Sequence, residues 1–232
     1  MPETILNDPL LGIGLTVFIY LIGEQISSRL GLTLLPPLVS AAAILMLLIN
    51  NLGVFTLDQY NIGAKFIHFL LGPATIALAV PLYKNRETLI KHYPILLVGV
   101  LIATISGVVS IIFISKALGA SAVVGLSLIP KSVTTPIAMD ISKAIGGIPA
   151  LTVACVILTG VFGSIIGHKL LKLIGVTNNI AIGLAMGASS HALGTSTCVK
   201  HSEVQVAIGS TAIGLVGIAT ALLAPILLMI FN

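Results

Sequence analysis

Long uncharged apolar runs constrain this chain more than any single motif does. Charged residues make up 8% of the 232 residues and hydrophobic residues 57%, whereas soluble domains contain about 25% charged residues. The mean hydropathy is +1.17. A helix of about 20 apolar residues is long enough to cross a bilayer. The sequence therefore predicts an all-α polytopic membrane protein.

Six of these runs are predicted to be transmembrane helices, and they form one membrane domain over residues 1–232. We expect residues 1–62 to supply scaffold helices and residues 63–232 to form a transport core. The net charge of +4 lies in short connectors and the chain has no Trp, which argues against nucleic acid as a partner. The six runs cover residues 10–28, 32–52, 66–83, 94–115, 147–167 and 204–231.

Two further segments place polar residues and helix breakers at membrane depth. They are residues 125–142 (GLSLIPKSVTTPIAMDIS) and residues 183–200 (GLAMGASSHALGTSTCVK). Such groups are costly in lipid unless they line a cavity or a water-filled path. We therefore predict two re-entrant or broken-helix hairpins. Two full crossings at these positions are the alternative, and they would place Lys169 and Lys172 outside.

The basic residues favour an orientation with the N-terminus outside, because most of them then lie in cytoplasmic connectors. This orientation requires each polar segment to return to the side from which it entered. One helix-plus-hairpin unit would then occur twice with opposite orientation, an inverted repeat of the kind that builds alternating-access carriers. At a spacing of 58 residues Gly125-Leu126 aligns with Gly183-Leu184, although identity elsewhere is low.

The first hairpin has the composition of an anion site. Pro130 and Pro136 break the helix and free backbone groups. Lys131 supplies a charge, and the start of the next half-helix adds its positive end. In the alternative interpretation Lys131 extends to the interface and the hydroxyls bond to their own helix. Asp140 pairs with a lysine, carries a coupled proton or lies at the surface. The predicted hydroxyl donors are Ser132, Thr134 and Thr135.

The second hairpin combines helix breaks at Gly187 and Gly194 with a dense set of polar side chains. His191 is a candidate for substrate binding and for proton coupling, together with Asp140. The alternative is a neutral histidine that neighbouring hydroxyls satisfy. The other predicted substrate contacts are Ser189, Ser190 and Thr195.

The sequence predicts no enzyme. Ser190 and His191 are adjacent without an acidic residue to orient the histidine, so they do not form a catalytic triad. Cys155 and Cys198 lack metal-ligand spacing, and we expect neither a metal site nor a cofactor. Gly72 and Pro73 are predicted to interrupt the third span and to complete the cavity wall.

The order of four motifs resembles the LrgB/CidB family over nearly the whole chain. These motifs cover residues 69–85, 127–142, 146–160 and 183–196. Bacterial members are described as antiholin-like proteins that act with a small LrgA/CidA-type membrane protein in the control of murein hydrolases and cell lysis. Similar proteins have been assigned to pyruvate uptake, and a plastid relative exchanges glycolate and glycerate. The resemblance implies a multi-pass protein of the bacterial cytoplasmic membrane.

Two functions follow as hypotheses. The first is a secondary transporter of small monocarboxylates such as pyruvate, glycolate or glycerate, coupled to protons, in which Lys131 holds the carboxylate. The second is an antiholin-like regulator of murein hydrolase export and cell lysis that acts with an LrgA/CidA-type partner. The polar hairpins favour the carrier, because a holin-like pore needs no such groups. By analogy with carriers that have a fixed scaffold, we expect a homodimer.

Overall fold

The structure is a computed structural model that describes residues 7–30, 37–50, 55–77 and 79–231. Helices dominate these ranges, and no strand occurs within them. The chain divides into two compact units, Met1–Ala74 and Thr75–Asn232. The prediction of an all-α protein is confirmed, while the division into scaffold and transport core stays a prediction.

The first unit is built around the close approach of two helices. A Cβ atom on Gly63 would lie only 2.8 Å from the Cα atom of Gly12, so glycine at both positions lets the two backbones touch. A capping box between Thr56 and Gln59 starts the later of these helices. The helices are α1 (Pro9–Leu30), α2 (Pro37–Asn50) and α3 (Leu57–Phe69).

The second and third predicted spans differ from the observed helices. α2 has 14 residues, about 21 Å of helix, and the rest of the predicted span, residues 32–36 and 51–52, lies outside the described residues. The third span is not one helix, because α3 ends at Phe69 and is followed by α4 (Leu71–Ala77) and α5 (Ala79–Lys84). Pro73 explains the break between α3 and α4, since a proline ring clashes with the carbonyl group four residues earlier. Gly72 and Pro73 themselves lie in the first turn of α4.

The second unit contains three long helices and the two polar segments. α1, α6, α9 and α11 each contain a stretch that is long and apolar enough to cross a membrane, so four of the six predicted spans are present as single helices. After α5, the helices of this unit are α6 (Arg86–Ala117), α7 (Ala122–Leu128), α8 (Thr135–Ala144), α9 (Pro149–Leu173), α10 (Asn179–Cys198) and α11 (Glu203–Phe231).

The long helices alternate in direction between two faces of this unit. We define face A as the end that holds Phe231 and face B as the end that holds Gln205. The Lys116 ammonium donates a hydrogen bond of 2.6 Å to the Phe231 carbonyl oxygen, which places the end of α6 at face A. The His168 Nε2 atom lies 3.1 Å from Gln205 Oε1, which places the end of α9 at face B. α6 and α11 therefore run from B to A, and α9 runs from A to B.

Hairpin 1, which we define as residues 118–147, enters and leaves at face A. Leu126 of α7 and Ala144 of α8 border the same small cavity as Leu228, near the end of α11. Ile137, close to the turn between α7 and α8, reaches the middle of α11, where a Cβ atom on Gly217 would lie 2.8 Å from its Cδ1 atom. The segment thus reaches mid-depth and returns.

Hairpin 2, which we define as residues 177–202, does the same from face B. The backbone of α10 leaves the helical conformation at Ser190 and His191, where His191 has φ 43°. Before this break α10 runs alongside α11, with Gly183 against Gln205, and after it Thr195 packs against Gly209 on the way back.

Both ends of hairpin 2 are fixed at face B by hydrogen bonds. Gln205 Nε2 donates to the side-chain oxygen of Asn179 at 2.9 Å, and Thr197 Oγ1 lies 3.2 Å from His168 Nδ1. The two hairpins are therefore re-entrant from opposite faces, as predicted. Each follows a long helix of opposite direction, which confirms the repeated helix-plus-hairpin unit.

Candidate functional site

A cavity of about 530 Å³ lies where the tips of the two hairpins meet α6 and α9. We call it the central cavity. Lys131 and Ser132 enter it from hairpin 1 and Ser189 enters it from hairpin 2. Gly167, close to the face B end of α9, is also part of the wall, so the cavity extends from mid-depth toward face B. An apolar wall with a few converging polar groups is typical of a small-molecule site.

The base of hairpin 1 is fixed to α9 by buried hydroxyl groups. The Thr152 hydroxyl lies 2.8 Å from the Ser127 carbonyl oxygen and 2.7 Å from Ser142 Oγ. Ser127 Oγ in turn accepts a hydrogen bond of 2.8 Å from the Ile148 N–H group. The three hydroxyl residues have no exposed surface. These bonds position the turn that carries Lys131.

Lys131 lacks an ionic partner at the tip of hairpin 1. Its ammonium group donates a hydrogen bond of 3.1 Å to Ser132 Oγ, and the described residues place no carboxylate at ion-pair distance from it. Cys155 of α9 is close enough to interact with it electrostatically. A half-buried ammonium without a counter-charge is costly. The central cavity therefore favours an anion.

The break of hairpin 2 is held against α9 rather than in the cavity. The buried His191 ring lies with Nε2 at 3.0 Å from the Val156 carbonyl oxygen, so this nitrogen is the donor. A Cβ atom on Gly160 would lie 2.6 Å from the ring, which shows how closely α9 approaches. The partner of His191 is thus a backbone carbonyl and not the neighbouring hydroxyls. The Ser189 and Ser190 hydroxyls are 3.0 Å apart.

The central cavity brings together three of the predicted contacts, Lys131, Ser132 and Ser189. Thr134 caps the start of α8 without a side-chain cap bond, and its buried hydroxyl has no partner in the described part of the chain. Asp140 is exposed on α8. The predicted coupling residue Asp140 is not part of the cavity lining. The predicted substrate contacts outside the lining are Thr134, Thr135, Ser190, His191 and Thr195.

Two of the predicted breakers, Pro130 and Pro136, lie at the turn of hairpin 1, whereas the predicted breaks at Gly187 and Gly194 are wrong, because the backbone of α10 leaves the helical conformation at Ser190 and His191 instead. Pro130 is fully buried in the turn of hairpin 1, and Pro136 is in the first turn of α8. Gly187 and Gly194 occupy helical turns on either side of the break in α10, where Gly187 packs against Gly209.

Sequence reasoning missed two serines of α6 that line the cavity. Ser106 and Ser110 of α6 both line it. Their hydroxyl groups donate to the carbonyl oxygens of Ala103 at 3.2 Å and Gly107 at 2.9 Å, which leaves acceptor capacity on each oxygen. The available signal was a pair of serines four residues apart on one face of a charge-free span.

Comparison with known proteins agrees with the motifs. The antiholin-like protein LrgB of Bacillus mycoides (strain KBAB4) is 38% identical over 218 residues, 94% of each chain. The uncharacterized protein YxaC of Bacillus subtilis (strain 168) is 34% identical over 218 residues, which are again 94% of each chain. No solved structure matches. The LrgB-like family model matches residues 16–230, and the chain belongs to this family.

Proposed function

We propose that this protein is a carrier of small monocarboxylates, such as pyruvate, glycolate or glycerate, across the bacterial cytoplasmic membrane. The observation that carries the proposal is that Lys131, which has no carboxylate partner among the described residues, lines a cavity to which two opposed re-entrant hairpins contribute. Half-helices that meet at mid-depth from opposite faces are typical of alternating-access carriers. The carboxylate supplies the counter-charge that Lys131 lacks.

The proposed binding mode follows from the cavity wall. One carboxylate oxygen accepts hydrogen bonds from the Lys131 ammonium and from Ser132, whose hydroxyl hydrogen is not used in accepting from Lys131. Ser189 is placed for a further contact. Ser106 and Ser110 of α6 offer acceptor oxygens to a substrate hydroxyl group. Contacts by Thr134, Thr135, Ser190 and Thr195 would require the hairpins to rearrange, as alternating access does.

Proton coupling is assigned to His191 in preference to Asp140. His191 directly follows the hydrogen-bonded pair Ser189 and Ser190, which leads to the cavity wall. Asp140 is exposed on the part of α8 that returns toward face A. A histidine ring can bind and release a proton through its nitrogens, and a histidine at membrane depth is a candidate proton relay.

The orientation follows from the basic residues of the second unit. Six of them cluster at face B, whereas Lys116 and Lys143 lie at face A. By the positive-inside rule we assign face B to the cytoplasm, so the central cavity opens inward. The face B residues are Lys84, Arg86, Lys91, Lys169, Lys172 and Lys200.

The test is uptake of labelled pyruvate and glycolate into liposomes that contain the purified protein, with and without a pH gradient. Lys131→Gln keeps a polar, slightly shorter side chain and removes its charge. We expect it to lower uptake at least about tenfold, the effect of losing about 1.4 kcal/mol of binding. Lys143→Gln, at the exposed end of α8, is the matched control and should transport normally. Normal uptake by folded Lys131→Gln would reject the proposed site.

The second candidate is an antiholin-like regulator of murein hydrolase export and cell lysis that acts with an LrgA/CidA-type protein. The name of the LrgB relative supports it. Cells with Lys131→Gln separate the two functions. If the variant loses uptake but still changes lysis when the partner protein is present, regulation does not depend on transport. If wild-type protein takes up no carboxylate with or without the partner, the regulatory function stands alone. Crosslinking in the same liposomes tests the proposed homodimer.

A further inference from the structure

A second cavity of about 190 Å³ lies at face A of the same unit. We call it the face A cavity. The end of α6 and the first part of hairpin 1 form its wall, where Ser121 marks the outer end and Ile129 the inner end. Leu228 of α11 closes one side. No function assigned above uses this cavity.

Only a thin layer of protein separates this cavity from the central cavity. Along hairpin 1, Ile129 lines the face A cavity and Lys131 lines the central one. Their Cα atoms are two residues apart and so at most about 7.6 Å apart, because consecutive Cα atoms are 3.8 Å apart. Along α6, Ser110 lines the central cavity and Ile112 the face A cavity, a rise of about 3 Å.

The two cavities lie on either side of a row of buried residues along α6, which we call the stripe. Ser106 and Ser110 lie on one flank and Ile112 on the other, because positions two apart on a helix point about 200° apart. Between the flanks lie Val108 and Ile111, which belong to the same buried cluster as Ile129. Pro130, which follows Ile129, is fully buried. The layer formed by these residues is therefore aliphatic.

The stripe also contains a polar group that makes no hydrogen bond to the described residues. Thr104 is 3% exposed, and its hydroxyl has no hydrogen-bond partner within the described ranges. Thr134, at the start of α8 after the turn of hairpin 1, is in the same condition. A buried hydroxyl without a partner is costly. Two of them beside an aliphatic barrier indicate groups that gain a partner when water or a polar solute enters.

We propose that the two cavities are the two ends of one permeation path, and that Val108, Ile111, Ile129 and Pro130 form the septum that closes it. The face A cavity is then the outer vestibule of the carrier. An aliphatic constriction closes a path by excluding water. Outward opening requires hairpin 1 to separate from α6, so that Lys131 becomes reachable from face A. The inference rests on the proposed transport function.

The test measures access to each cavity without any substrate. In a Cys155→Ala, Cys198→Ala background, Ser121→Cys reports on the face A cavity and Ser110→Cys on the central cavity. A membrane-impermeant thiol reagent is applied to liposomes from either side. We expect Ser121→Cys to react from the outside and Ser110→Cys mainly from the cytoplasmic side. Reaction of both cysteines only from one and the same side would refute the path.

The septum is tested by adding Ile129→Ala to the Ser110→Cys protein. We expect the rate of labelling from face A to rise at least about tenfold, which corresponds to about 1.4 kcal/mol of barrier. Ile208→Ala is the matched control, because Ile208 is equally buried but lies near the start of α11, and it should leave the rate unchanged. An unchanged rate in folded Ile129→Ala, or an equal rise in both variants, would refute the septum.

Labelling from face B serves as the control for folding. Normal labelling of Ser110→Cys from this side shows that the Ile129→Ala protein is folded. If the Ile129→Ala protein is not folded, Ile111→Ala is used in its place, with the same expected result. Since no substrate is used, a correct labelling pattern without carboxylate uptake would reject the proposed substrate class while the path stands. Uptake with the wrong pattern would reject the path alone.

Discussion

The replacement Thr152→Val removes the anchor of hairpin 1 while keeping the shape of the side chain. Thr152 has no exposed surface, and its hydroxyl joins α9 to both arms of the hairpin, through Ser127 at 2.8 Å and Ser142 at 2.7 Å. Valine cannot make either bond. Because threonine and valine have nearly the same shape, the replacement should not leave a cavity in the core. The loss therefore reports on hydrogen bonding alone.

The magnitude follows from the two lost bonds. Interhelical hydrogen bonds in membrane proteins contribute about 0.6 kcal/mol on average and up to about 1.7 kcal/mol. Buried groups left without a partner add to the cost. We expect Thr152→Val to lower the free energy of unfolding by about 1–3 kcal/mol. Thr211→Val is the control, because Thr211 is equally buried but its hydroxyl donates within its own helix, to the Ala207 carbonyl oxygen at 2.9 Å.

The assay is reversible unfolding in mixed micelles, with Thr211→Val expected within about 0.5 kcal/mol of wild type. A double-mutant cycle of Thr152→Val with Ser142→Ala should give a coupling energy of about 0.5 kcal/mol or more, as for residues in one network. Equal destabilisation by the two valine variants, or a coupling energy of zero, would show that these hydroxyls do not anchor the hairpin.

Three other predictions concern the site and its supports. Gly163→Ala should impair folding in a trypsin-sensitivity assay, because its Cβ atom would collide with Ser190, whereas Gly107→Ala meets nothing within 4 Å and should be tolerated; equal sensitivity would argue against the packing of the break. Alkylation of the partly buried Cys155 should inhibit uptake, and substrate should slow it, because Cys155 lies near Lys131; inhibition that survives in Cys155→Ala would contradict this. His168→Phe keeps a ring but loses both contacts to Thr197 and Gln205, and should lower unfolding free energy by about 1–2 kcal/mol, measured in the same micelles.

The sequence was sufficient to predict the architecture of the second unit, because the penalty for polar groups in lipid is severe. Lys131 and Ser132 could be assigned to a cavity for this reason, and Ser189 likewise. The direction of each hairpin followed from the distribution of lysines. The third span was predicted to be interrupted at Gly72 and Pro73, and the structure has a break directly before them, between α3 and α4.

The position of the break in hairpin 2 could not be predicted from local sequence. The usual expectation assigns a left-handed conformation to glycine, yet His191 adopts it, with φ 43°. Gly187 serves instead for close approach to Gly209. The break depends on Gly160 and Gly163 of α9, which make room for His191 and Ser190. That packing partner is about 30 residues away in sequence, and no pattern within the hairpin reveals it.

α9 explains how two segments with little sequence identity come to the same place. Near its start Thr152 holds the base of hairpin 1, and near its end His168 holds the base of hairpin 2, about 24 Å away at 1.5 Å per residue. Between these anchors, the Val156 carbonyl oxygen accepts a hydrogen bond from His191, and the preceding residue, Cys155, is within electrostatic range of Lys131. The candidate anion-binding lysine and the candidate proton carrier thus both interact with the same turn of α9. A shift of α9 relative to either base would move both groups together, which is the mechanical condition for coupling substrate movement to a proton.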